Sequence, residues 1–64
     1  MTRAEWLDAE IDHALFQATA ARRWAEEYPA DSKQRQSLMV TAQRFDRVAI
    51  DLDEARMRDA KVEP

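Results

Sequence analysis

Pro29 is the only proline inside this 64-residue chain, and the chain contains no glycine. Proline cannot continue an α-helix, and it also disfavours helical backbone at the residue before it. Glycine is the other residue that regularly interrupts helices, so its absence leaves a single strong break near Pro29. The sequence therefore predicts two helices joined by a short turn.

A capping pattern predicts where the first helix begins. Thr2 is followed three residues later by Glu5, which is the spacing of a capping box. Apolar residues then recur at helical spacing as far as Tyr28, the residue before the proline. The first helix is therefore expected to span residues 3–28.

The second helix has two candidate N-caps, Asp31 and Ser32. It is expected to span residues 32–60, with residues 61–64 as a frayed tail. The connection between the helices is then only a few residues long, and such a short connection makes neighbouring helices antiparallel. The predicted fold is all-α, an antiparallel two-helix hairpin.

An apolar stripe on the first helix follows a strict seven-residue repeat, with alternating steps of four and three residues. Its members are Leu7, Ile11, Ala14, Ala18, Ala21, Ala25 and Tyr28. Such a repeat is typical of a left-handed coiled-coil seam. The facing stripe predicted on the second helix consists of Leu38, Ala42, Phe45, Val48, Ala49, Leu52 and Ala55. The alanines let the helices approach closely, and the larger residues fill the remaining space.

A second apolar group lies on the first helix, opposite the alanine-rich seam at about 100° per residue. This group, which we call the aromatic face, comprises Trp6, Ala9, His13, Phe16, Ala20 and Trp24. A helix that is apolar on two sides needs cover on both, and one hairpin partner covers only one. All of the face except Ala9 is therefore predicted to contact a binding partner. The alternative is that the first helix is rotated, so that these aromatics pack inside the hairpin.

The second helix carries a weaker apolar group, the methionine stripe, made of Met39, Ile50 and Met57. Methionine is adaptable and common on binding surfaces, so these residues are predicted to add partner contacts. Asp46 and Asp53 lie between them and dilute the stripe. The alternative is a solvated edge with scattered apolar residues.

The small size of the chain favours association. A chain of this length is expected to form one hairpin domain and to bury little core by itself. It has no cysteine, so disulfides and thiolate-bound metals cannot stabilise it. The hairpin is therefore expected to dimerise into a four-helix bundle, to dock on a larger protein, or both. In length and helix pairing alone, this architecture resembles ROP, a dimer of helical hairpins.

The residues offer little for catalysis. The chain has no cysteine and one histidine, without a visible orienting group, so no enzymatic activity, small-molecule substrate or cofactor is expected. Glu10 and His13 have the Glu-x-x-His spacing of di-iron bundles, but the second helix offers no inward-facing carboxylate, which makes metal binding a remote alternative. Apolar runs reach only three residues and no signal-peptide pattern is visible, so a cytoplasmic protein without a membrane span is expected.

Nucleic-acid binding is the alternative function. The net charge of −3 and the pI near 5.0 give the chain no general basic character. A basic tip is nonetheless predicted near the turn, formed by Arg22, Arg23, Lys33 and Arg35. Acidic residues at Glu26, Glu27 and Asp31 neutralise much of this tip. The leading expectation is therefore a non-enzymatic protein-interaction module of adapter or inhibitor type, and the alternative is a dimeric bundle that binds nucleic acid through the tip.

Overall fold

A computed structural model describes residues 1–62, which form two α-helices and no strand. Helix α1 spans Arg3–Ala25 and helix α2 spans Lys33–Val62. The helices pack along their length as an antiparallel pair, because Arg3 at the start of α1 contacts Asp59 near the end of α2. The predicted all-α helical hairpin is confirmed.

The helix ends differ from the predicted ones. Helix α1 ends at Ala25, three residues before its predicted end. The reason is that its last carbonyl groups accept short-range hydrogen bonds, such as the 3.1 Å bond from the Tyr28 N–H to the Ala25 carbonyl. Such tightened bonds close a helix before its apolar spacing ends. Helix α2 continues to Val62. Helix α2 thus extends two residues past its predicted end at Ala60, and of the frayed tail predicted for residues 61–64 the last two residues lie outside the described part.

Both helices begin at a capping hydroxyl group. The Thr2 Oγ1 accepts a hydrogen bond from the Glu5 N–H at 3.1 Å, and its hydroxyl group also lies 3.2 Å from the Glu5 carboxylate. Of the two candidate caps of α2, Ser32 takes the role instead of Asp31, since its Oγ accepts from the Arg35 N–H at 3.1 Å. These bonds satisfy backbone donors that the first turn of a helix leaves free.

Replacing Ser32 with alanine is expected to lower the free energy of unfolding by about 1 kcal/mol. The Ser32 hydroxyl group also donates to the Pro29 carbonyl at 2.8 Å, so the substitution loosens the turn as well as the helix start. Urea unfolding followed by circular dichroism measures the change. Ser37→Ala, at an exposed serine inside α2, is the matched control. Equal destabilisation by both substitutions would contradict the capping role.

The predicted seam forms the core. Its buried members within the described residues are Leu7, Ala14, Ala18, Ala21, Ala25, Ala42 and Ala49. Leu7 is the one large side chain among them that is fully buried, so the helices meet chiefly through alanine. Val48 does not belong to this seam and is 46% exposed. The seven-residue repeat of α2 runs through Phe45 and Ala49, and Val48 lies about 100° from Ala49.

Charged residues close the open end of the hairpin. Arg56 and Asp59 continue the heptad spacing of α2 beyond its apolar members, and they pair with Asp8 and Arg3 of α1. Arg56 also contacts Asp53 at 2.6 Å. The hydrogen bond that Arg56 donates to Asp8 is the main cause that raises the pKa of the Arg56 guanidinium group above its ordinary value. Exposed ion pairs of this kind contribute little to stability.

The hairpin is thin, with extents of 52 × 18 × 10 Å along its principal axes. The shortest of these corresponds to one layer of helices, whereas a folded domain normally encloses its core between two. Both broad sides of the hairpin therefore face solvent. No helix within residues 1–62 has the length and apolar character needed to cross a bilayer.

Candidate interaction surface

The aromatic face of α1 is exposed. The exposed fraction is 45% for Trp6, 69% for Phe16 and 56% for Trp24. His13 and Ala20 are also exposed. The alternative in which α1 is rotated to bury these aromatics is wrong, because the alanine-rich seam occupies the contact with α2.

The two indoles lie on one line along α1. Trp6 and Trp24 are eighteen residues apart, which corresponds to about five complete helical turns and a separation of about 27 Å. Leu15 lies nine residues from each of them, or about two and a half turns, and so points to the opposite side of the helix. Its exposed fraction, 47%, is close to that of Trp6. Leu15 and the tryptophans therefore border the outer surface of α1 from opposite edges.

The hairpin has two broad sides, and contacts between the helices identify them. On one, which we call the ion-pair side, Arg22 pairs with Asp46. On the other, the tryptophan side, Trp24 borders a shallow concavity together with Ser37. Asp46 follows Ser37 by nine residues, so the two residues lie on opposite sides of α2. The aromatic face thus occupies the tryptophan side and the adjoining outer edge of α1.

The methionine stripe lies on the ion-pair side. Met39 precedes Asp46 by seven residues, while Ile50 and Met57 follow it by four and eleven, and each of these spacings returns to nearly the same line of α2. All three residues of the stripe are exposed. The residues predicted to contact a partner therefore do not form one surface, because the stripe and the aromatic face are on opposite sides of the hairpin.

Val48 belongs to the tryptophan side, although it was predicted in the core. It follows Ser37 by eleven residues and Thr41 by seven, so the three residues share one line of α2. Its exposure adds an apolar residue of α2 to the side that carries the indoles. The signal for this was present in the sequence, because the strict repeat through Phe45 and Ala49 excludes Val48 from the seam.

A shallow groove runs along the outer surface of α1. Its lining residues are Asp12, Leu15, Phe16, Thr19, Ala20, Arg23, Trp24 and Glu27. All of them belong to α1 except Glu27, which follows its end, so the groove is a gap between side chains and not a cleft between helices. The small residues Thr19 and Ala20 leave space between the rings of Phe16 and Trp24. Such a surface suits the side chains of a partner helix better than an enclosed small molecule.

The one polar residue of the aromatic face, His13, lies near its middle, and Glu10 lies beside the face. Glu10 is half-buried and His13 is exposed, both on α1. Across residues 1–62 there is no group of three or more His, Cys, Asp or Glu side chains placed to hold a metal ion. His13 therefore enters the surface as a polar residue between aromatic ones.

The basic residues near the turn do not form one free patch. The Arg22 guanidinium group pairs with Asp46, and Arg35 donates a hydrogen bond to the Tyr28 carbonyl at 3.3 Å. Arg23 and Lys33 are exposed. Two of the four side chains predicted to contact nucleic acid are thus already used within the hairpin.

The aromatic face exposes three large aromatic side chains of α1, Trp6, Phe16 and Trp24. The chain matches no protein-family model, and comparisons with the curated proteins and with the solved structures also find no match. Function is therefore inferred from the surface itself, through the chemistry of its side chains.

Proposed function

We propose that this chain is a small non-enzymatic protein-interaction module, of adapter or inhibitor type, that binds through the aromatic face of α1. The observation that carries the proposal is the exposure of Trp6, Phe16 and Trp24 on a helix whose other side is already buried. Contiguous exposed apolar patches of this kind mark interaction sites, and tryptophan is enriched among residues that dominate binding energy.

Burial of the three aromatic rings supplies the driving force. Aromatic side chains each bury about 150–250 Å² when covered, at about 25 cal/mol per Å². Complete cover of the parts now exposed would therefore contribute on the order of 5 kcal/mol or more, before the entropic cost of association. Within the hairpin, Leu7 is the one large side chain that is fully buried, whereas the larger seam residues of α2, Leu38, Phe45 and Leu52, are half-buried.

A partner bound to the aromatic face would also supply a second layer of helices, which the hairpin lacks. A chain of this size rarely stabilises itself with one small core, and oligomerisation or docking is the usual remedy. A second pair of helices would complete a four-helix bundle. The arginine-rich turn is a weaker candidate for a binding site for nucleic acid, because Arg22 and Arg35 form contacts within the hairpin and the net charge is −3.

The double variant Trp6→Ala/Trp24→Ala tests the proposal. Each exposed tryptophan is expected to act as a binding hot spot, so its loss weakens binding at least about 30-fold. Pull-down from the native host, with the affinity of each captured protein then measured by titration, gives the readout. Self-association is measured on the same variants by sedimentation equilibrium, and unchanged far-ultraviolet circular dichroism shows that the hairpin is intact.

Met57→Ala is the matched control, because it removes an apolar side chain of similar exposure from the ion-pair side of the hairpin. It is expected to leave binding unchanged. The proposal fails if the double tryptophan variant binds as well as the natural chain. It also fails if Arg23→Glu/Lys33→Glu abolishes a strongly salt-dependent affinity for nucleic acid while the tryptophans make no difference.

A further inference from the structure

We infer that the partner of the aromatic face is a second copy of this chain, with the two α1 helices antiparallel about a two-fold axis. Trp6 of each copy then packs beside Trp24 of the other copy, so the interface contains two equivalent indole contacts. The inference rests on the proposed function and names its partner. It is carried by the spacing of residues along α1, by their charges and by the surface area of the hairpin.

The first argument is that α1 is complementary to its own reverse. In a two-fold contact, if residue i meets residue j of the second copy, then j also meets i. Suppose that the two-fold axis passes midway between residues 14 and 15 of α1. Ala9 of one copy then lies at the same height along the helix axis as Ala20 of the other, and Trp6 lies within one residue of the height of Trp24. Small residues thus lie opposite small ones, and indole lies opposite indole.

The same reversal brings His13 to the level of Phe16 of the second copy. An imidazole ring then packs on a phenyl ring at the middle of the interface, on each side of the axis. Aromatic rings in such contacts prefer offset or edge-to-face arrangements, which two helices at ordinary packing distance allow. The polar residue at the middle of the aromatic face therefore gains a partner of matching shape.

The second argument is charge. Glu5 and Arg23 are eighteen residues apart, the same spacing as the two tryptophans, and both are exposed. An antiparallel pair of α1 helices places Glu5 of one copy near Arg23 of the other, once at each end of the contact. A parallel pair would instead place Arg23 beside Arg23 and Glu5 beside Glu5. Like charges repel and the antiparallel helix dipoles attract, so the antiparallel arrangement is favoured.

The third argument is area. A compact folded protein of 7.5 kDa should expose roughly 4,200 Å², whereas this chain exposes 5163 Å², roughly 900 Å² more. A standard protein–protein interface removes about 800 Å² from each partner. One interface on the aromatic face would therefore bring the exposed area of each copy to that of an ordinary folded protein. Two hairpins stacked in this way also form the two-layer bundle that one hairpin, 10 Å thick, does not.

Single cysteines test the arrangement, because the natural chain has none. The variants Ala9→Cys and Ala20→Cys alter exposed alanines and are expected to leave the hairpin folded. Mixed together under mild oxidation, they are expected to form a disulfide-linked heterodimer. Each variant alone is expected to cross-link far less, because in the antiparallel dimer two copies of either cysteine lie about 16 Å apart along the helix, beyond the reach of a disulfide.

Sedimentation equilibrium on the full chain gives the affinity. The natural chain is expected to be a dimer at micromolar concentration, and Trp6→Ala or Trp24→Ala is expected to weaken the dimer at least about 30-fold. Met57→Ala, on the ion-pair side, is expected to leave it unchanged. Arg23→Glu is expected to weaken the dimer, and Glu5→Arg added to it is expected to restore affinity, since the swap re-forms the same pair in reverse.

Two results would overturn the inference. One is a chain that stays monomeric at the highest attainable concentration, and the other is efficient cross-linking of each single cysteine variant with itself, as a parallel dimer requires. If the chain is monomeric but the tryptophan variants lose a larger protein, the proposed function stands and only this inference fails. If a dimer forms and is indifferent to both tryptophans, this inference fails, and the proposed function fails with it only if the tryptophan variants also bind every captured protein as well as the natural chain does.

Discussion

Replacing Leu7 with alanine is expected to lower the free energy of unfolding by about 2–5 kcal/mol. Leu7 is the one large side chain that the hairpin buries completely, and the other fully buried positions of the described residues are alanines. Removal of its side chain leaves a cavity between two helices that have few other apolar contacts with which to close it. A loss of this size is a large fraction of the stability of a small domain.

The measurement is urea unfolding at one fixed protein concentration, because any association makes stability depend on concentration. Leu15→Ala removes the same atoms from an exposed site on the same helix and serves as the control. It is expected to change the free energy of unfolding by no more than about 0.5 kcal/mol. Similar losses for both variants would show that the seam does not hold the hairpin together.

Replacing Ala18 with leucine is expected to destabilise the hairpin by about 1–3 kcal/mol, although leucine is more apolar. Ala18 is fully buried on α1, as Ala42 is on α2. Alanine at such positions lets the two backbones approach closely, and a larger side chain forces them apart or into a strained rotamer. The close approach of the helices is thus a consequence of small side chains in the seam.

Thermal unfolding of the Ala18 variant, again at fixed concentration, measures this effect. Ala60→Leu is the control, since Ala60 is exposed near the end of α2. It is expected to shift the midpoint little, because leucine and alanine are both good helix formers. If Ala18→Leu raised the midpoint of thermal unfolding instead, the seam would contain unfilled space and would not be closely packed.

Much of the fold could be predicted from local features. Pro29 and the absence of glycine predict two helices with one turn. The strict repeat that runs from Leu7 through Ala18 predicts which side of α1 meets α2, because side chains seven residues apart return to one line of a coiled helix. The Thr2 cap follows from the hydrogen-bonding needs of a helix start. Each of these depends on residues close together in the chain, and each is confirmed.

Other features depend on contacts between distant residues. Arg22 is predicted as part of a free basic tip, but it pairs with Asp46, twenty-four residues later. Tyr28 is predicted inside α1, but its carbonyl accepts from Arg35 beyond the turn. Such pairs form only when the helices dock, and the spacing of residues along one helix contains no information about them.

The sequence by itself determined the two helices, the turn and the two apolar sides of α1, because helical periodicity is a local property of the chain. Only the tertiary structure decided that the aromatic face and the methionine stripe lie on opposite sides of the hairpin. Periodicity places Trp24 and Met39 on their own helices, but the rotation of each helix about its axis is set by the close packing of the alanine seam. That packing determines which side chains share a surface.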